Sequence, residues 1–80
     1  MKAEIYISLK NTVADPQGLT IKHALESLGY QNLKEVRIGK MISVQINSDD
    51  KKDAEKQIDE MCKKLLANPI IEDYKFKISE

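Results

Sequence analysis

The longest stretch of alternating apolar and polar residues lies in the middle of the chain, between residues 33 and 46. Its apolar side chains fall at even positions, with Lys40 as the exception. These apolar residues are Val36, Ile38, Ile42, Val44 and Ile46. Alternation of period two is typical of a β-strand that buries one face. We therefore predict a strand over 33–46, around which the rest of the chain folds.

Gly39 lies inside this stretch and allows two arrangements. A three-residue loop over 39–41 would form a hairpin that keeps the apolar residues on one face, and the alternative is a single strand bent at Gly39. Unbroken, the stretch would extend over roughly 46 Å at ~3.3 Å per residue, which is longer than a small sheet can cover. In that case we expect the uncovered part to need a second chain.

Two further alternating stretches predict strands near the ends of the chain. The first has apolar residues at positions 3, 5, 7 and 9, and the second, over 70–78, alternates Tyr74, Phe76 and Ile78 with charged residues. Tyr6 falls on the polar side of the first strand.

Two stretches have the apolar spacing of amphipathic helices. The first begins at Asp15-Pro16, where a capping carboxylate precedes a proline suited to the first helical position, and it ends before Gly29. The second follows the polar residues 47–50 and ends before Asn68-Pro69, because the residue before a proline avoids the helical region. The two apolar stripes are Leu19, Ile21, Ala24, Leu25 and Leu28, then Ala54, Ile58, Met61, Cys62 and Leu65.

The predicted order is strand, helix, long or paired strand, helix, strand, in a single domain over residues 1–80. This order is typical of an α+β two-layer sandwich, with an antiparallel sheet and two helices on one face, related to the ferredoxin-like arrangement. A chain of this length buries a small share of its surface, so we expect it to form oligomers.

Thirteen basic residues balance thirteen acidic ones, which gives a formal net charge of zero. Nonspecific binding to nucleic acid or to a membrane surface needs an excess of positive charge, so the sequence favours neither partner. No apolar stretch approaches the ~20 residues that span a bilayer, and Met1 leads into a strand rather than a signal peptide. A single cysteine excludes an internal disulfide, and we expect a cytoplasmic location.

The residue types that carry catalysis are not grouped in this sequence. Cys62 lies in the apolar stripe of the second helix, which is typical of a small buried hydrophobe rather than a nucleophile. His23 lies on the polar side of the first helix, and the chain has no second histidine or thiol to complete a metal site. The three glycines are too scattered for a phosphate-binding loop. We predict no catalytic, cofactor-binding or metal-binding residues.

Arg37 is the only arginine of the chain and lies on the polar side of the central stretch. Its planar guanidinium suits a carboxylate or a phosphate. A salt bridge to Glu35, to Glu4 or to a carboxylate of a partner chain is the favoured interpretation, and ligand binding is the alternative.

Several short motifs resemble PurS, the small subunit of phosphoribosylformylglycinamidine synthase. They follow one another in the family's order and cover nearly the whole chain. They are Asp15-Pro16-Gln17-Gly18, Leu28-Gly29-Tyr30, Val36-Arg37-Ile38-Gly39-Lys40, and Met61-Cys62 followed by Leu65-Leu66-Ala67-Asn68-Pro69-Ile70-Ile71-Glu72-Asp73-Tyr74.

The resemblance implies the fourth step of de novo purine synthesis, in which formylglycinamide ribonucleotide, glutamine and ATP give formylglycinamidine ribonucleotide, glutamate, ADP and phosphate. In such complexes a glutaminase subunit releases ammonia and a large synthetase subunit binds ATP and magnesium. The small subunit bridges them as a homodimer, alone or as a dimer of dimers, and helps to transfer ammonia. The resemblance thus implies a ligase subunit with no active site or cofactor of its own.

The candidate interface with the larger subunits consists of polar and turn-forming positions within these motifs. They are Asp15, Gln17, Gly18, Arg37, Gly39 and Lys40. We expect them to meet the larger subunits, because they have no obvious role inside a lone 80-residue core. Two other functions stay open, a ligand-sensing α+β dimer and an RNA-binding module. The latter would need aromatic residues aligned on an open sheet face, where only Tyr6 is suitably placed.

Overall fold

The computed structural model describes residues 1–80 and contains three β-strands and two α-helices. In chain order they are β1 (Lys2–Leu9), α1 (Pro16–Ser27), β2 (Gly39–Gln45), α2 (Lys51–Met61), a π-helical turn (Cys62–Leu66) and β3 (Glu72–Ser79). The predicted α+β class, with an antiparallel sheet and two helices, is confirmed. Neither helix has the length and apolar character needed to cross a bilayer.

The sheet has β1 in the centre, with β2 and β3 antiparallel on its two sides. Ile5 lies opposite Ile42 on one side and Phe76 on the other, and Ile7 lies opposite Tyr74. One face of the sheet is therefore apolar, as the alternation in each strand predicts. The other face is largely polar, with Tyr6 at its centre.

α2 packs on the apolar face and completes a small core. The buried apolar residues are Ala3, Ile5, Ile7, Ala54, Ile58, Cys62 and Ala67. Cys62 is fully buried, as its place in the apolar stripe predicts, and burial raises the pKa of its thiol.

A polar cluster fixes α2 over β3. The Tyr74 hydroxyl donates to Asp59 Oδ1 at 2.5 Å, and Lys63 Nζ lies 2.9 Å from Asp59 Oδ2. The hydrogen bond from Tyr74 and the contact with Lys63 lower the pKa of Asp59. The helix is thereby held at one side of the sheet, toward β3 rather than β2.

The central strand is shorter than the alternation predicts. β2 begins at Gly39, and residues 30–38 have no regular secondary structure. The run is therefore neither a hairpin nor one long bent strand. The physical reason is that Gly39 pairs with Ser8, close to the end of β1, and no other strand of the chain reaches residues 33–38.

α1 lies beyond this end of the sheet, whereas the pattern predicts both helices over one face. Gly18 is its only buried residue, and its exposed apolar residues include Ile21 and Leu28. The chain is accordingly elongated, with extents of 50 × 26 × 14 Å. Its radius of gyration is 16.1 Å, against about 12 Å for a compact chain of this length. We call α1 with the segment 30–38 the arm, and the sheet with α2 the body.

Candidate functional site

The six candidate interface residues come together where the arm joins the body. Asp15, Gln17 and Gly18 lie at the start of α1, and Arg37, Gly39 and Lys40 lie at the start of β2. The two groups are far apart in the sequence and adjacent in space. We call this region the junction.

The Asp15 carboxylate joins the two sides of the junction. Its Oδ1 accepts from the Gly18 N–H at 2.9 Å and caps α1, and its Oδ2 accepts from the Ile38 N–H at 2.7 Å. The hydrogen bond from Ile38, followed by that from Gly18, holds the pKa of Asp15 below its usual value. One side chain therefore sets both the first turn of the helix and its position against the residue that precedes β2.

Arg37 holds the loop between β1 and α1. Its Nη2 donates to the carbonyl oxygens of Lys10 at 3.0 Å and Val13 at 2.9 Å. Its Nε lies 3.6 Å from Glu35 Oε1, so the ion pair with Glu35 anticipated from the sequence is present. Sequence reasoning missed the two contacts with carbonyl oxygens, because every residue has a backbone carbonyl and the residue pattern does not show which of them accepts a hydrogen bond.

Gly18 and Gly39 allow backbone segments to approach closely. A Cβ at Gly18 would lie 2.3 Å from the Val36 carbonyl oxygen, and one at Gly39 would lie 2.8 Å from the Ile7 carbonyl oxygen. Real Cβ atoms do not come this near to other atoms. Glycine is therefore required at both positions for the arm and the body to meet as they do.

These contacts correct one premise of the sequence analysis. Asp15, Gly18, Arg37 and Gly39 do have roles inside the chain, because they build the junction. Of the six candidate residues, Gln17 and Lys40 have exposed side chains that take no part in these contacts. Lys40 Nζ lies 3.9 Å from Glu72 Oε2, a distant pair with the lysine side chain 57% exposed.

A shallow cavity of about 290 Å³ opens beside the junction. It is lined by the polar residues Asp15, Gln17, Lys40 and Glu72 and by the apolar residues Ile7, Leu9 and Ile38, with Gly39 at its edge. Glu72 is a contributor that sequence reasoning missed, although it lies within one of the family motifs. Its Oε1 accepts from the Asn68 N–H at 2.7 Å, which fixes the carboxylate at the cavity wall.

The arrangement suits the binding of a polar group. It places an ammonium and two carboxylates around apolar side chains, without a nucleophile and base in hydrogen-bond contact. The structure contains no cluster of three or more His, Cys, Asp or Glu side chains that could hold a metal ion. The Cys62 thiol lies in the core and is not part of this surface.

Replacing Asp15 by alanine is expected to lower the thermal unfolding midpoint by several degrees at pH 7, because the change removes the helix cap and the bond to Ile38. The folded pKa of Asp15 lies below its ordinary value of 3.8. The carboxylate therefore stabilises the fold above that pH, and this contribution is lost as the pH falls through the folded pKa.

The difference between wild type and the Asp15→Ala variant should consequently shrink below about pH 4. Thermal unfolding followed by circular dichroism from pH 3 to pH 7 measures it. Asp49→Ala is the matched control, since it removes the same charge from an exposed carboxylate that makes no hydrogen bond or ion pair. A gap that stays constant over this pH range would contradict the assignment.

Residues 2–80 match the family model described as "PurS: Phosphoribosylformylglycinamidine (FGAM) synthase". The chain is 46% identical over 79 residues to the FGAM synthase subunit PurS of Bacillus subtilis, covering 99% of this chain and 93% of the relative. The chain belongs to the PurS family. The resemblance seen in the motifs is thereby confirmed over nearly the full length.

Solved PurS structures agree with the fold. The crystal structure of Methanocaldococcus jannaschii PurS superposes with a TM-score of 0.87 at 44% identity, covering 99% of this chain and 95% of that one. A chain in the structure of PurLQS from Thermotoga maritima gives a TM-score of 0.87 at 30% identity, covering 95% and 93%. This chain is therefore a PurS subunit of FGAM synthase in purine biosynthesis, and one part of a multisubunit enzyme. Family membership sets aside the ligand-sensing and RNA-binding alternatives.

Proposed function

We propose that this chain is the bridging subunit of FGAM synthase, which joins the glutaminase subunit to the large synthetase subunit and assists the transfer of ammonia between them. The observation that carries the proposal is the shape of the chain. It buries 8 of its 80 residues and holds α1 out beyond the sheet. Such a chain offers far more surface for contacts with other proteins than a compact domain of the same length.

The chemistry of the reaction is assigned to the other subunits. Release of ammonia from glutamine needs an accessible nucleophile, and we assign it to the glutaminase subunit. We assign ATP and magnesium to the synthetase subunit, where they activate the amide oxygen of formylglycinamide ribonucleotide. The only thiol of this chain, Cys62, is fully buried and has a raised pKa, so it does not suit the role of that nucleophile.

Within the complex we propose a homodimer of this chain, working in the cytoplasm. The free thiol of Cys62 fits a reducing compartment. The small core and the exposed apolar side chains of the arm support self-association. The pairing of two dimers into a dimer of dimers stays a prediction that rests on the family resemblance.

The experiment that tests the bridging role is reconstitution from separate subunits. This chain, the glutaminase and the synthetase are mixed with glutamine and Mg-ADP, and the mixture is analysed by size-exclusion chromatography. We expect one complex that contains all three, and we expect glutamine-dependent synthesis to need this chain. Full glutamine-dependent turnover by the other two subunits alone would overturn the proposal.

A charge reversal at the junction tests where the larger subunits bind. We expect Lys40→Glu to weaken association with them about tenfold, equivalent to ~1.4 kcal/mol, because its ammonium borders the junction cavity and its ion pair with Glu72 is long. Lys56→Glu, on the exposed side of α2, is the matched control. Lys40 is a sharper probe than Arg37, since Arg37→Ala would also release the loop at Lys10 and Val13.

Titration of the labelled chain against the two larger subunits, followed by fluorescence anisotropy, gives both affinities. Equal affinities for Lys40→Glu and Lys56→Glu would remove Lys40 from the interface.

A further inference from the structure

The outer face of the sheet, on the side away from α2, contains a hollow that the core does not fill. Across the three strands, Ser8 lies opposite Gly39 on one side and Asp73 on the other. A Cβ at Gly39 would lie 3.7 Å from the Ser8 Cβ, so any side chain at position 39 would lie against Ser8. Because glycine and serine are small, the sheet is open at this row of residues. The resulting hollow has a volume of about 560 Å³, and we call it the outer hollow.

The next row of residues in the sheet forms an apolar wall of the outer hollow. There Tyr6 lies opposite Met41 on one side and Lys75 on the other. The Tyr6 hydroxyl donates to Glu4 Oε2 at 3.3 Å, so the ring leans away from Ser8 and leaves the hollow open. Met41 is 53% exposed and Tyr6 is 36% exposed. Tyrosine and methionine are enriched at the buried centres of protein interfaces, and this pair offers apolar area that the chain itself does not cover.

The charged groups around the outer hollow leave two lysines poorly neutralised. Lys75 is exposed and forms no ion pair within the chain. Lys40 has only the long contact of 3.9 Å with Glu72. The one carboxylate in the lining, that of Asp73, is already paired with Lys10 at 3.5 Å. The hollow therefore presents ammonium groups for which the chain supplies little negative charge.

An apolar wall beside two available ammonium groups suits an acidic side chain that has an apolar neighbour. A carboxylate loses water when it is covered, and Lys75 and Lys40 can replace that water with charge-assisted contacts. The apolar neighbour would rest on Tyr6 and Met41. A free small acid is a poorer occupant, because small-molecule sites enclose most of the ligand surface and this hollow lies on an open sheet face.

The outer hollow continues the surface on which the larger subunits are proposed to bind. Gly39 and Lys40 line the outer hollow and also the cavity at the junction. One protein surface could therefore cover both, by passing around the start of β2. A second copy of the chain is a weaker complement, since its own outer face carries more lysines than carboxylates. These outer-face charges are Lys2, Lys75 and Lys77 against Glu4 and Asp73.

We propose that the outer hollow receives an acidic side chain, with an apolar residue beside it, from one of the two larger subunits of the complex. Lys75 binds the carboxylate, and Tyr6 and Met41 contact the apolar residue. The inference rests on the bridging role of the proposed function, and it adds a second contact surface and the chemistry of the group that the surface recognises.

Charge reversal at Lys75 tests the site. We expect Lys75→Glu to lower the affinity for one of the larger subunits at least about tenfold, because a carboxylate would then face a carboxylate. Lys75→Arg keeps the positive charge and should stay within about twofold of wild type. Lys77→Glu is the matched control, since it makes the same change on the same strand and face but lies outside the hollow.

Titration of each labelled variant against each larger subunit, followed by fluorescence anisotropy, gives the affinities, and circular dichroism verifies that every variant is folded. Met41→Ser should weaken binding to the same subunit as Lys75→Glu does, because it removes part of the apolar wall. Sedimentation of the isolated variants measures self-association separately.

Equal affinities for Lys75→Glu and Lys77→Glu, in a system where the wild-type complex assembles, would overturn the site and leave the bridging role standing. A change in self-association by Lys75→Glu, with unchanged affinity for both larger subunits, would identify a second copy as the occupant and would also overturn the proposal. A wild-type chain that binds neither larger subunit would overturn the site and the bridging role together.

Discussion

Replacing Ile58 by alanine is expected to destabilise the chain by about 2–5 kcal/mol, because the change removes three carbons from a fully packed site and leaves a cavity. Ile58 is completely buried between α2 and the sheet. A domain of this length has a free energy of unfolding of roughly 4–12 kcal/mol in total. The substitution therefore removes a large share of the stability, and at the upper end of the range it unfolds the protein.

The effect at Ile58 is large because the core has few members that could move to fill the space. The buried cluster around it consists of Ala3, Ile5, Ile7, Cys62 and Ala67, of which three are small residues. Urea unfolding followed by circular dichroism at one fixed protein concentration measures the loss, since self-association would otherwise shift the midpoint. Ile70→Ala is the control, because Ile70 is 82% exposed and should change the free energy of unfolding by less than about 1 kcal/mol. Similar losses for the two variants would contradict the assigned core.

The elements that the sequence predicts best are those fixed by local chemistry. α1 begins at Pro16 with Asp15 as its cap, and Gly29, just past its end, has a φ of 106°, the left-handed conformation expected of a helix stop. β1 and β3 follow their alternating patterns to within two residues at each end. In each case the residues that determine the element are neighbours in the sequence, so the sequence pattern is sufficient to predict it.

The elements that the sequence predicts poorly depend on contacts between distant parts of the chain or between chains. The alternation over 33–46 predicts which side chains are buried, but it does not predict which strand pairs with the stretch. Residues 39–45 find that neighbour in β1, and residues 33–38 find none in the single chain. The position of α1 is predicted wrongly for the same reason. Its apolar stripe predicts burial against an apolar surface but does not indicate which element or chain supplies that surface.

In the candidate site, too, the sequence predicts which residues take part but not the distant contacts that they make. The motifs of the family locate all six residues, and the structure brings them to one junction. The sequence pattern does not predict the contacts of these residues. Asp15 and Arg37 point inward and hydrogen-bond to backbone groups, and glycine is needed at position 18 because a carbonyl oxygen of another segment lies close to it. Because backbone groups are present at every residue, side-chain patterns carry no information about such contacts.

Replacing Gly18 by alanine is expected to separate the arm from its place without unfolding the body. The added Cβ would lie 2.3 Å from the Val36 carbonyl oxygen and 2.8 Å from Asp15 Oδ2, so the start of α1 must move away from the segment 34–38. That movement would also break the bond between Asp15 and Ile38. Alanine is a better helix former than glycine by about 1 kcal/mol, so a damaging effect cannot come from helix propensity.

The loss should appear in assembly more than in stability, because the Gly18 contacts lie in the junction and not in the core. We expect self-association to weaken at least about a hundredfold, equivalent to ~2.7 kcal/mol, and glutamine-dependent synthesis by the reconstituted complex to fall with it. Sedimentation equilibrium measures the first, and circular dichroism verifies that the sheet and α2 remain folded. Thr20→Ala, on an exposed side of the same helix, is the control and should leave both readouts near wild type. The methyl group fits only if α1 moves away from the Val36 carbonyl oxygen. Wild-type dimerisation by the Gly18→Ala variant would therefore show that the position of the arm does not control assembly.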